Sequence, residues 1–177
     1  YDNAAGVGVF LEMAERLADV ASGARLRFVA WGGHEFGVFG SKWYVENCPD
    51  EAKAVRHLLV FDGVGAKDSD PRIAVNGGER LVTQLRTYAE GRDDLVVREQ
   101  AGGGGDGLYF VRAGVETVWV HATKRRPAAP DGQRVVAGGL AAPFHSPIDD
   151  MRWITREAMA REVGIGMDIV SEWIRGA

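Results

Sequence analysis

His57-Leu58-Leu59-Val60-Phe61-Asp62-Gly63-Val64-Gly65, "HLLVFDGVG", runs five apolar or aromatic-rich positions into an acid and two glycines. A short apolar run bounded by turn residues is the pattern of a strand in a sheet interior. The acid then falls just past the strand's carboxyl end, where ligands of open α/β sheets collect. The fold class turns on whether the flanking segments alternate strand with helix.

They do. Upstream, Phe10, Met13, Leu17 and Val20 recur at three- and four-residue steps, a helix face that Gly23 closes as a C-terminal cap. "RLRFVAW" (25–31) is expected to be a buried strand, and "GSKWYVENC" a helix interrupted at Pro49. Downstream, "PRIAVNGG" predicts a short strand and turn. Leu81, Leu85 and Tyr88 mark a helix, "DLVVRE" a strand and "GVETVWVHA" (114–122) another. Residues 155–174 complete the series as a helix facing inward through Ile165, Ile169, Trp173 and Ile174. Such alternation predicts an α/β domain with a mostly parallel sheet covered on both faces. No repeat or domain boundary is evident. The Pro-, Gly- and Ala-rich loop over about 123–144 is long enough to act as a flap or flexible insert.

Composition narrows the function. At 177 residues and 46% hydrophobic, the chain can fill one core. A net charge of −4 argues against nucleic acid as a partner. The one basic cluster, Lys124-Arg125-Arg126, precedes Pro127 and Pro130 and reads as a solvated loop. Cys48 is the sole cysteine, so no internal disulfide framework exists. No apolar run reaches the ~18–20 residues of a membrane-spanning helix. The opening "YDNAAGVGVFLEMAERL" enters a helix at once, with no initiator Met or signal peptide, and reads as the interior of a longer protein.

Two acids occupy strand ends: Glu35, after the strand near Trp31, and Asp62. Asp2 stands before the first helix, and His145 follows the long loop in "PFHSPIDD". Carboxylates with imidazole suit zinc or a related divalent ion. Each also has a plainer reading: Asp2-Asn3 as a helix N-cap, Asp62 as a strand-end turn, His145 as a loop histidine. Only joint placement favours the metal. Val38 occupies the position where HExxH needs histidine. GxGxxG, GxxxxGK[ST] and GxSxG are also missing, which disfavours dinucleotide, P-loop and α/β-hydrolase chemistry.

"DNAAGVGVFLEMAERLA", "LRFVAWGGHEFGVFGSKWYV", "HLLVFDGVG", "GGDGLYFVRAGVETVWVHA" and "FHSPIDD" resemble, in order, blocks of the M28 family of zinc aminopeptidases. The resemblance runs nearly end to end and implies a three-layer α/β/α sandwich with a mixed, mostly parallel sheet. Residues 1–177 would then be one partial M28-type peptidase domain, its N-terminal part lying upstream of Tyr1. The activity implied is a zinc-dependent aminopeptidase-type hydrolase that releases N-terminal residues from peptides, with metal-activated water as nucleophile. By position, Asp2 would bridge two zinc ions, Glu35 and His145 would complete one site, and Asp62 would belong to the other. One or two ions are expected in the complete domain, since the remaining histidine ligand would fall upstream of this chain. Asp106 takes the place of an acid near the family's substrate pocket, and Asp149 that of an acid able to orient the His145 imidazole from behind. The expected partner is a peptide or aminoacyl substrate, with self-association through an exposed, truncated sheet edge. Family resemblance points to an extracytoplasmic location.

His34 breaks the pattern. The family resemblance implies two adjacent glutamates there, the first handling the proton of the attacking water and the second binding zinc. Here Glu35 keeps the second position, and histidine takes the first. Neutral imidazole, with an ordinary pKa near ~6.5, is able to serve as the base. The swap leaves three readings: an active peptidase using His34, a catalytically impaired binding module of the same fold, or a single-zinc acyltransferase resembling glutaminyl cyclase.

Overall fold

The computed structural model describes residues 1–18, 20, 24–100, 104–124 and 144–176. Most of the expected 123–144 flap, the Gly23 cap and Arg125-Arg126 lie outside these. The chain divides into two compact units. One comprises Tyr1–Leu26, Gly63–Pro71 and His121–Ala177; the other comprises Arg27–Asp62 and Arg72–Val120.

In the first unit, α1 spans Ala4–Leu17 and buries Val9, Met13 and Leu17 along one stripe. Asn3 caps it, the side-chain oxygen accepting from the Gly6 amide. The helix ends at Leu17, so Val20 is not on its face and is exposed. The last helix of the chain, α6 (Arg156–Arg175), starts at Thr155, whose hydroxyl accepts from the Ala158 amide. Ile165 and Ile169 are buried as expected, and Trp173 and Ile174 half so. α1 and α6 pack together. A second apolar cluster gathers Tyr1, Ala66 and Ala122 with Phe144, Trp153 and Ile154.

The second unit carries α2 (Phe39–Asn47) and α3 (Pro49–Lys53), separated at Cys48 with Pro49 opening the latter. The strand β1 (His57–Phe61) follows, and most of β2 (Ser69–Asn76) also belongs here. α4 (Glu79–Ala89), β3 (Val96–Glu99), α5 (Leu108–Arg112) and the Glu116–Val120 part of β4 (Glu116–Lys124) complete the series. The strands form one open mixed sheet in the order β1-β4-β2-β3. β1 pairs parallel with β4, from His57 opposite Glu116 to Phe61 opposite Val120, and β2 pairs parallel with β3. Ile73, Ala74 and Val75 are buried in succession, as expected of a strand covered on both faces. Ala52, Phe110 and Val115 form a core with Trp31, Tyr44 and Leu58.

One expected element is corrected. "RLRFVAW" forms no strand among the described residues, and Leu26, Phe28 and Val29 are exposed. Apolar composition favours a strand only where a neighbour completes the hydrogen-bond ladder, and the four-stranded order does not include this segment. β1 itself is half-buried along its length rather than buried. Among the described residues, no helix is long and apolar enough to cross a membrane.

Candidate metal and acid–base site

The segment following Trp31 is a tight turn closed by its own backbone. Gly37 and Val38 amides donate to the His34 carbonyl, Phe39 to Gly33 and Gly40 to Gly32, all within 2.8–3.0 Å. Two glycines make this closure feasible. Gly33 lies at φ +70°, and a Cβ on Gly40 would stand 2.7 Å from the Gly32 carbonyl oxygen. His34 and Glu35 are therefore presented on a turn leading into α2. Glu35 is exposed and His34 half-buried. Beside them Phe36, Phe39 and Trp43 expose their rings and, with Gly32, Gly33 and Gly40, line an apolar cleft.

Two further elements of the same unit meet the imidazole. Asp62, at the end of β1, is held by its backbone: its amide donates to the Val120 carbonyl at 3.3 Å, and its carbonyl accepts from the Trp119 indole at 3.3 Å. Its carboxylate stands 3.6 Å from His34 Nε2. Asp106, in the turn before α5, places a carboxylate oxygen 2.8 Å from His34 Nδ1. Burial is the largest single influence on His34 and lowers its pKa. The Asp106 hydrogen bond and the charges of Asp62, Asp106 and Glu35 act together against it, and the net direction is upward from the ordinary imidazole value.

In the first unit, Asp2 and His145 face each other. An Asp2 carboxylate oxygen is 3.2 Å from His145 Nε2. Because Asn3 caps α1, the plainer reading of "Asp2-Asn3" is assigned to the second residue alone, and the Asp2 carboxylate turns to the histidine. His145 adopts a left-handed backbone (φ +54°) in the turn after Phe144, a conformation histidine visits more readily than most residues. The Asp149 carboxylate meets the backbone nitrogens of Tyr1 (2.8 Å) and Asp2 (2.9 Å), so it acts on the Asp2 backbone. The family resemblance implies a further role for it, orienting the His145 imidazole. Asp150, next along, caps a short turn by accepting from the Arg152 amide.

The donor chemistry fits a metal. Ligand distances of about 2.0–2.2 Å in a tetrahedral zinc site place neighbouring donors roughly 3.4 Å apart. The Asp2–His145 separation matches that spacing. Sequence reasoning named all these side chains but missed the partnership of Asp106 with His34. The available signal was "GGDG" (104–107), whose glycines let a turn come close to the sheet: a Cβ on Gly107 would stand 2.7 Å from the Thr117 side chain.

An open α/β sheet with an acid at a strand end, and with carboxylate–imidazole pairs on its turns, defines the class of α/β proteins equipped for metal-assisted or acid–base chemistry. The sequence profile of Peptidase family M28 matches residues 1–165, and the chain belongs to that family. It is 30% identical over 169 residues to aminopeptidase YwaD of Bacillus subtilis, covering 89% of this chain and 34% of the relative. To leupeptin-inactivating enzyme 1 of Streptomyces exfoliatus it is 29% identical, covering 90% and 38%. Among solved structures, the zinc aminopeptidase BSAP from Bacillus subtilis superposes with a TM-score of 0.77 at 27% identity. That match covers 98% of this chain and 42% of the other. The chain thus spans about a third of the length of the curated relatives it matches.

Proposed function

We propose that the protein carrying this chain is a zinc-dependent aminopeptidase that removes N-terminal residues from peptides. The reading is supported by membership of Peptidase family M28 and by likeness to proteins named as aminopeptidases. The observation that carries it is the pairing of the Asp2 carboxylate with His145 Nε2 at the spacing of two neighbouring zinc ligands. Asp2, Glu35, Asp62 and His145 are proposed as ligands. Zinc would supply Lewis acidity toward the scissile carbonyl and depress the pKa of the attacking water. Asp149 holds the backbone of Asp2 and so fixes where its carboxylate points.

His34 is proposed to handle the proton, taking it from the attacking water and delivering it to the leaving amine. The ring is neutral when it accepts and cationic afterwards, and the carboxylates of Asp62 and Asp106 offset that charge. The apolar cleft of Phe36, Phe39 and Trp43 lies between that turn and the first turns of α2 and offers contact to apolar parts of a peptide.

The test is hydrolysis of aminoacyl-nitroanilides by the complete protein after zinc loading. Turnover that disappears on chelation and returns with zinc is expected. Protein shown to be folded and zinc-loaded, yet inert toward every such substrate, would refute the reading.

A further inference from the structure

The His34 ring is held by more than its own backbone. Asp106 is a buried acid, 8% exposed, and the only hydrogen bond its carboxylate accepts among the described residues comes from His34 Nδ1 at 2.8 Å. Its other oxygen is buried without a hydrogen-bond partner among the described residues. Burying a carboxylate is costly unless a donor meets it, and here one imidazole N–H is that donor. A carboxylate in its ionised form only accepts hydrogen bonds, and facing one at 2.8 Å a neutral His34 ring carries its proton on Nδ1. Nε2 then keeps its lone pair. At 3.6 Å the Asp62 carboxylate is too far to engage it in a hydrogen bond, although close enough to favour a positive charge there.

The turn that delivers Asp106 is shaped for this ring. Gly105 lies at φ +49°, in the left-handed region, and a Cβ there would stand 3.0 Å from His34 Cε1 and 3.5 Å from the Asp62 carboxylate. The ring thus sits among three segments of one unit: the 32–40 turn, the end of β1 and the Gly105–Gly107 turn.

We propose that Asp106 is a positioning residue that fixes His34 as the Nδ1–H tautomer and presents Nε2 as a free proton acceptor. This deepens the aminopeptidase reading and rests on it for the acceptor's catalytic purpose, but the tautomer is a property of the chain itself. Asp106→Asn is the informative substitution. It preserves volume, yet its amide nitrogen can donate to Nδ1 and so stabilise the opposite tautomer, in which Nε2 carries the proton and cannot accept one.

The experiment is two-bond 15N–1H correlation NMR of 15N-histidine-labelled complete protein. It is run at alkaline pH, where the ring is neutral, with His34 assigned by its absence in His34→Gln. Nδ1–H is expected in the wild type and Nε2–H in Asp106→Asn. The expected kinetic companion is a fall in kcat of about 10²–10⁴ with zinc content unchanged. A wild-type ring in the Nε2–H form overturns the proposal, and needs no variant to fold. So does a folded Asp106→Asn protein that keeps the wild-type tautomer. If the wild type proves inert toward peptides while its ring is Nδ1–H and inverts in the variant, the peptidase reading falls. The hold of Asp106 on His34 is then still upheld.

Discussion

At the scale of single residues, the opening of α1 shows how chemistry is divided between neighbours. Asn3 satisfies the helix amide and Asp2 meets His145, a division that "Asp-Asn" as text leaves open because either side chain can cap. Asp2→Asn keeps the size of the side chain and removes its charge. Zinc affinity measured by competition with a chelator is therefore expected to fall at least tenfold while α1 stays capped. Unchanged affinity would remove Asp2 from the ligand set. Gly105 supplies a second test. Adding a methyl there forces strain at φ +49° and pushes on the His34 ring, so Gly105→Ala is expected to lower kcat with zinc content preserved. Candidate side chains were legible in the sequence through the blocks that carry them, although of these only Asp62 stands at a strand end among the described residues. Their partnerships were not, since Asp106 reaches a residue 72 positions away and only the folded turn reveals it.

At the scale of elements, the 32–40 turn is a backbone construction that its glycines make feasible. The Gly40 Cα faces the Gly32 carbonyl so closely that a Cβ would meet backbone, which cannot move aside as a flexible side chain can. Gly40→Ala is thus expected to destabilise the fold by about 1–3 kcal/mol, read as a lower denaturation midpoint at constant slope. Helices and central strands were readable from periodicity: α4 buries Leu81 and Leu85 as spaced, and β2 its Ile73–Val75 run. The segment 25–31 was not. Its composition is that of a strand, but strand formation is a property of pairs, and one sequence window carries no information about its neighbour.

At the scale of the whole molecule, the least expected group is Glu162. Helical periodicity puts it on the inward face of α6, and it is fully buried, accepting from the Gly65 amide at 2.5 Å. Burial pushes its pKa from 4.5 up to about 7, against the Gly65 hydrogen bond and the charge of Arg161. Between those values the folded chain holds a proton that the unfolded chain has lost. Stability therefore falls as pH rises from about 4.5 to 7, by about 3 kcal/mol over the window. Glu162→Gln keeps an acceptor for Gly65 and removes the titration. Its melting temperature should lose that slope, and a parallel pH profile would contradict the assignment. The α/β class was legible from alternation alone, whereas an acid inside the helix face was not, because apolar patterning does not register one polar residue among several apolar ones.

If His34 moves the proton where the family resemblance implies a glutamate, removing its imidazole must cost turnover. The most direct measurement compares aminoacyl-nitroanilide hydrolysis by the complete wild-type protein and by His34→Ala at equal, measured zinc content. Turnover by the wild type and a loss of about 10²–10⁴ in the variant is the expected result. Equal turnover by the two proteins at equal zinc would contradict it.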